Sequence, residues 1–181
     1  MPRNIEIKAR IGDAHTLQPL VARIADDGPV AIAQDDTFFG CDTGRLKLRR
    51  FSPDAGELIF YRRADRQGPK ESFYVRSPTH SPDTLREALA LAHGVTGRVV
   101  KQRTLFMVGR TRVHLDVVEG LGHFLELEVV LADGEPAAQG EREAHALMRT
   151  LGLAQDALIE GAYVDLLAQA GAPGARLRSR Q

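Results

Sequence analysis

The chain has 181 residues, with 24 Lys and Arg against 24 Asp and Glu and a formal net charge of zero. A hydrophobic fraction of 43% and a charged fraction of 27% exclude a disordered chain, a collagen and a disulfide scaffold. The neutral total excludes a generally basic surface, so no nucleic-acid partner is expected. The single cysteine, Cys41, can form no internal disulfide, which fits a reducing compartment. The charged start Arg3-Asn4-Ile5-Glu6-Ile7-Lys8 and the lack of an apolar run near 20 residues make a cytoplasmic protein with no membrane partner the expectation.

In chain order, alternation of polar and apolar residues predicts a strand over 4–10, and a capping Asp13 predicts a helix over 14–26 with Leu17, Leu20, Val21 and Ile24 at helical spacing. Residues 29–41 are β-rich, 45–49 alternate again, and 56–64 and 71–77 are β-rich between turns at Pro53-Asp54-Ala55-Gly56 and Gln67-Gly68-Pro69. Ser81-Pro82 opens a helix over 83–92, Ser81 as its cap. Strands follow at 98–109, 112–117 and 124–129, the last two joined by a hairpin turn at Gly120 and Gly122. Helices are predicted over 137–151 and 155–168, with Gly152 as the stop between them. The sum is an α+β fold: about eight mostly antiparallel strands in a closed or nearly closed barrel, with covering helices. One domain over 1–170 and a basic, flexible tail over 171–181 complete the expected organisation.

The strands segregate charge by face. Residues two apart in a strand share a side, so Glu6, Lys8 and Arg10 lie together, as do Arg45, Lys47 and Arg49, Lys101 and Arg103, Arg112, His114 and Asp116, and Glu126 and Glu128. Their opposite faces are Ile, Leu and Val. Either the charged face is in water, or the apolar faces lie outward under the helices and the charges line the barrel. Uninterrupted rows of one sign and the supply of amphipathic helices favour the second arrangement. A charged interior needs a ligand to neutralise it. Rows of Arg and Lys suit a polyanion, and carboxylates beside them suit Mg²⁺ or Mn²⁺ bridging to phosphates. The named basic positions outnumber the acids by roughly two to one, which predicts a net positive lumen. A lipocalin-like carrier would instead turn Ile5, Ile7, Leu46 and Leu48 into the lumen.

Asn4-Ile5-Glu6-Ile7-Lys8 resembles the ExExK signature of the CYTH, or triphosphate tunnel metalloenzyme, superfamily. Gly44 to Arg49, Val100 to Arg103 and Leu115 to Glu128 continue the likeness, and the last stretch is similar to the class IV adenylyl cyclase branch and, more loosely, to thiamine triphosphatase. The resemblance implies an eight-stranded antiparallel tunnel that binds a triphosphate with divalent metal. It implies Lys8, Arg45, Lys47, Arg49, Lys101, Arg103 and Arg112 as triphosphate contacts. Arg62 and Arg63 compete for one further basic position, and parity with Tyr61 favours Arg63. It implies Glu6, Asp116, Glu126 and Glu128 as metal ligands, with Glu6, Lys8, Glu126 and Glu128 the catalytic set. Asn4 stands where the signature has its first glutamate; its amide oxygen can ligate a metal but brings no charge.

The implied substrates are ATP, cyclised to cyclic AMP and pyrophosphate, or inorganic triphosphate or thiamine triphosphate, hydrolysed at the terminal phosphorus. A non-catalytic nucleotide or polyphosphate sensor is the alternative that Asn4 keeps open. A homodimer is a state the likeness allows. His114 either lines the tunnel or is a structural imidazole, and Asp35 and Asp36 default to the surface unless one reaches the tunnel mouth. Lys70, Ser72 and Tyr74 either meet the non-phosphate part of a substrate or are simply exposed, and Tyr163 with Asp165 packs the last helix over the barrel.

Overall fold

A computed structural model describes residues 3–63 and 69–171, without the side chains of Arg63 and Lys70. The predicted basic tail lies outside the described residues apart from Gly171. Eight strands run β1 (Arg3–Arg10), β2 (Asp27–Phe39), β3 (Arg45–Ser52), β4 (Ala55–Arg63), β5 (Lys70–Thr79), β6 (Val95–Val108), β7 (Thr111–Val118) and β8 (Gly122–Val130). They close in the order β1-β5-β4-β3-β2-β6-β7-β8, and every pairing is antiparallel. Closure leaves no exposed sheet edge.

The helices are α1 (Ala14–Ile24), α2 (Pro82–His93), α3 (Ala137–Thr150) and α4 (Tyr163–Gly171). The Asp13 carboxylate accepts the His15 backbone N–H and caps α1. Ser81 holds the equivalent position before α2, but its side chain makes no capping bond; its carbonyl accepts from Thr84 Oγ1 instead. Gly152, at φ +67°, ends α3 as predicted, with the Leu153 N–H returning to the Met148 carbonyl.

The predicted 155–168 helix is a correction. Only a 3₁₀ turn forms at Gln155–Ala157, and α4 begins at Tyr163. Between them the chain pairs with β1: Leu158 bridges Ala9, and the Ile159 N–H donates to the Lys8 carbonyl. Gly161, at φ +76°, then turns the backbone through a conformation that a continuous helix excludes. Tertiary pairing outweighs the helix propensity of the Ala- and Leu-rich segment.

The hydrophobic core lies outside the barrel wall. Ile5, Ile7, Val113, Leu115, Leu125, Leu127 and Val129 turn outward from β1, β7 and β8 and are buried with Val21 of α1 and Ala144 and Met148 of α3. Full burial of each large side chain contributes about 1.5–3 kcal/mol. Gly140 lets α3 approach the wall closely, since a Cβ there would lie 2.7 Å from both Ile5 Cγ1 and Leu131 Cδ2. With stability drawn from this outer layer, the inner face is free to carry charge. The lipocalin-like arrangement is thereby excluded. Among the described residues no helix is long and apolar enough to cross a membrane.

Candidate functional site

Alternation delivers one set of side chains from every strand into a lumen of about 280 Å³. Asn4, Glu6 and Lys8 come from β1, Gln34 and Asp36 from β2, Lys47 and Arg49 from β3, Glu57 and Tyr61 from β4, and Ser72, Tyr74 and Arg76 from β5. Lys101 and Arg103 come from β6, Arg112 and His114 from β7, and Glu126 and Glu128 from β8. One end is capped by Tyr163 at the start of α4, whose ring stacks obliquely on Phe124 at 4.9 Å between centroids. Lys8 Nζ and Lys101 Nζ lie 4.0 and 4.9 Å from the centre of the Tyr163 ring, so both belong to the capped end.

Asp116 sits behind this end, fully buried. It accepts two bonds of 2.7 Å from Arg103, one of 2.9 Å from Lys101 Nζ and one of 3.0 Å from the Tyr163 hydroxyl. Burial alone would raise its carboxyl; the charges of Arg103 and Lys101 outweigh that and hold it well below the ordinary carboxylate range. Burial, with Arg103 beside it, brings Lys101 down to about 8.

Asp36 forms a second node on β2 and β3, next to β6 in the barrel. Arg49 grips it with two bonds of 2.8 Å, and Lys47 Nζ adds a third at 2.7 Å. It too is held far below the usual range, its cationic neighbours prevailing over burial. Lys47 nonetheless falls to about 8, because burial and the adjacent Arg49 outweigh its share of the carboxylate. Both nodes hold a pair of cations in place with an internal anion.

Glu126 lies level with Lys8 in the β1–β8 register, beside the Asp116 node, and Glu128 lies two residues further from the cap. Lys8 Nζ is 3.4 Å and Arg103 3.6 Å from Glu126, and together they depress its carboxyl strongly against the effect of burial. Glu128 behaves oppositely. Burial, and then the neighbouring Glu126 charge, raise it, although Arg112 lies 3.2 Å away. Two carboxylates that resist joint ionisation in a buried place are a donor set that suits a divalent cation. Each has an oxygen within 4.8 Å of the other's and of a ring nitrogen of His114. Glu6 faces Glu128 directly across the β1–β8 pairing. The residues present therefore fit a divalent cation, with Glu126 and Glu128 at its centre.

The lumen gathers Glu6, Lys8, Lys47, Arg49, Lys101, Arg103, Arg112, Glu126 and Glu128 as the strand faces predicted. Three expectations need correction. Arg45 does not line the tunnel; it forms a bidentate pair at 2.8 Å with Asp165 on the outer side of the cap. Asp116 is not grouped with the acid pair, since its oxygens are already engaged by Arg103, Lys101 and Tyr163. The excess of positive charge is slight rather than twofold. Among the described residues Lys8, Lys47, Arg49, Arg76, Lys101, Arg103 and Arg112 face Glu6, Asp36, Glu57, Glu126 and Glu128, with Asp116 just behind.

Asp36 is the residue that sequence reasoning missed. It pairs with Arg49 in the β2–β3 register and is buried, whereas Asp35 faces out and pairs with Arg98. Parity with Phe38 was the available signal, because Phe38 also lines the lumen. Tyr163 does more than pack a helix, since it forms the cap. Ser72 and Tyr74 line the lumen; the side chains of Lys70 and Arg63 lie outside the described residues. Arg63 ends β4 opposite Ser72, and Arg62 is turned to the outer face against Phe60 and Phe73.

Residues 2–163 match the model of the CYTH domain. The chain belongs to the CYTH family. Its fold is shared with the PH1012 protein of Pyrococcus horikoshii, at 21% identity and a TM-score of 0.80 over 90% of this chain and 98% of that one. A candidate adenylate cyclase from Vibrio parahaemolyticus superposes with a TM-score of 0.72 at 20% identity, over 91% and 97% of the two chains. HpAC1 from Hippeastrum, for which a dominant triphosphatase activity is described, follows at 0.65 and 16%, over 94% and 96%. No curated protein matches the chain at the sequence level.

Proposed function

We infer that this CYTH protein is a divalent-metal-dependent enzyme acting on a triphosphate held in the tunnel, and that its reaction is class IV adenylyl cyclase-like conversion of ATP to cyclic AMP and pyrophosphate. The observation that carries this reading is the order of charge along the lumen. Lys8 and Lys101 lie against the capping Tyr163, Arg103 shares Asp116 with Lys101, and Glu128 and Arg112 lie further along β8 and β7 from the cap, with Lys47 and Arg49 on the neighbouring wall. Glu128 is four residues along β8 from Phe124 in the cap, roughly 13 Å at strand rise.

A nucleoside triphosphate that enters tail first puts its β and γ phosphates among the deep cations. The α phosphate then reaches the Glu128 end of the acid pair, with the ribose at the mouth. A dication held by Glu126 and Glu128, with Glu6 opposite, would supply charge neutralisation at the phosphoryl oxygens there. The cations of the Asp36 and Asp116 nodes stabilise charge that develops on the departing pyrophosphate. Their geometry is set in advance by the two carboxylates, so little reorganisation accompanies binding. The ribose 3′ oxygen attacks the α phosphorus, the bond to the β-phosphate oxygen breaks, and the hydroxyl proton passes to solvent at the open mouth. Arg112 and Tyr74 are the side chains placed to orient the substrate there.

A second reading rests on size. A lumen of about 280 Å³ lies at the small end of ligand pockets, and it suits a bare inorganic triphosphate. The same cations then serve hydrolysis at the terminal phosphorus; thiamine triphosphate would place its organic part at the mouth. Product analysis separates the readings. Purified protein is incubated with ATP, inorganic triphosphate and thiamine triphosphate, each with Mg²⁺ or Mn²⁺. Cyclic AMP with pyrophosphate supports the cyclase, and orthophosphate without cyclic AMP supports the hydrolase. Tight binding with no product from any substrate would refute both and leave a sensor.

A further inference from the structure

His114 is on the lumen face of β7, opposite Glu126 in the β7–β8 register and 3% exposed. A histidine buried for structural reasons satisfies its ring nitrogens by hydrogen bonds. This one does not: Nδ1 has no hydrogen-bond partner among the described residues. The atom is nevertheless directed at the acid pair, 3.8 Å from Glu128 Oε1. That is too far for a hydrogen bond, and with the ring proton on Nε2 the Nδ1 lone pair faces the two carboxylates. A ligand atom from each of His114, Glu126 and Glu128 lies within 4.8 Å of the others. Metal–ligand bonds of about 2.0–2.2 Å place neighbouring ligand atoms about 3 Å apart, so side-chain rotations of about an ångström close the group around one ion.

We propose that His114 Nδ1 is a nitrogen ligand completing a mixed nitrogen–oxygen metal centre with Glu126 and Glu128, and that it makes this tunnel select a first-row divalent transition metal over Mg²⁺. The proposal deepens the reading above, on which the need for a metal in the tunnel rests. Mg²⁺ holds to oxygen donors and a near-ideal octahedron, and it sheds water reluctantly. An imidazole nitrogen is a softer donor and raises affinity for transition-metal ions in preference to Mg²⁺. The sequence shows why such a donor is useful here. Asn4 brings no charge to β1 where a carboxylate would have helped a hard ion, and a neutral imidazole adds a ligand without adding repulsion to a lumen already holding two abutting acids. The two departures, an amide in place of an acid and a nitrogen beside the acid pair, act in the same direction.

The test reads the metal itself rather than turnover. Mn²⁺ is the weakest binder of the first-row transition series, so it is the most demanding probe. Mn²⁺ and Mg²⁺ affinities are measured by calorimetry on the full chain, with and without inorganic triphosphate. The bound Mn²⁺ is then examined by pulsed electron paramagnetic resonance. The expected results are at least tenfold tighter binding of Mn²⁺ than of Mg²⁺ and a ¹⁴N coupling on the ion, replaced by a ¹⁵N coupling when histidine alone is labelled. With triphosphate present, a ³¹P coupling on the same ion places it in the tunnel. His114→Gln should remove the nitrogen coupling and weaken Mn²⁺ binding about 10–100-fold, while leaving Mg²⁺ binding within about threefold.

Mn²⁺ bound in the tunnel with no nitrogen coupling overturns the proposal, as does equal affinity for the two ions or no binding of Mn²⁺ under either condition. Retention of the nitrogen coupling in a folded His114→Gln protein also overturns it. If that variant fails to fold, the labelled wild-type protein decides alone, through nitrogen and phosphorus couplings on one ion. Absence of any triphosphate binding counts against the tunnel function and not against His114, whose coupling is still read on Mn²⁺ alone.

Discussion

Replacing Asp116 by Asn keeps the shape of the buried node behind the cap and removes its charge. Lys101 and Arg103, 5% and 6% exposed, then lose the carboxylate that both contact at 2.7–2.9 Å. Removing one partner of a buried ion pair costs about 3–5 kcal/mol, because the remaining charge stays buried and uncompensated. Glu126, 3.6 Å from Arg103, offsets a small part of this. At about 2–4 °C per kcal/mol for a chain of this size, the free protein should melt about 6–20 °C lower. Triphosphate should reverse much of the loss. Two cations released from their internal anion attract the ligand more strongly, so affinity measured without metal should rise at least about tenfold. Thermal unfolding in EDTA, titrated with inorganic triphosphate, gives both quantities, since a ligand at 100 times its Kd stabilises by about 2.7 kcal/mol. A free variant melting within about 2 °C of the parent, or a folded variant binding triphosphate no better than the parent, would refute the idea that Asp116 holds the deep cations ready.

Other outcomes follow from the same charges. Lys47 and Lys101 both titrate near 8 in the folded protein, below the ordinary lysine range. From pH 8 to about 10 the unfolded chain therefore binds more protons, and the stability of the free protein rises with pH through these two groups. Triphosphate affinity runs the other way, falling as pH passes through about 8; a Kd that is flat to pH 9.5 would contradict this. Glu126→Gln should abolish metal-dependent turnover while retaining most of the metal-free triphosphate affinity, as calorimetry and product assays would read side by side. Gly140→Ala should cost about 1–3 kcal/mol by overpacking against Ile5 and Leu131, with triphosphate affinity unchanged, because α3 supports the wall from outside.

Much of this is legible in the sequence, for a physical reason. A strand repeats every two residues, so Glu6 and Lys8, Lys47 and Arg49, and Glu126 and Glu128 declare a shared face from spacing alone. The apolar residues between them announce that the core lies on the other side. Two things were hidden. Adjacent acids such as Asp35 and Asp36 differ only in parity, and a one-residue shift of phase exchanges lumen for solvent. The end of the tunnel was hidden too, because the cap depends on where a later segment returns. Arg45 has the right parity, yet it lies at the end of β3 where α4 arrives, and Asp165 takes it. Pairing of Leu158 with Ala9 has no local signature either, so the last helix was placed too early.

Tyr163, stacked on Phe124, stands across one end of the lumen. For a substrate that enters tail first, what goes in deepest comes out last. On the proposed cyclase reading, cyclisation at the mouth would produce a small cyclic nucleotide standing between pyrophosphate and solvent, so the nucleotide would depart first and pyrophosphate follow. Steady-state kinetics would carry the imprint of that queue. Pyrophosphate would meet the same free enzyme as ATP and compete with it, whereas cyclic AMP would meet a tunnel still filled at its far end and inhibit without competing. The cap thereby converts a detail of helix placement into a sequence of events in time.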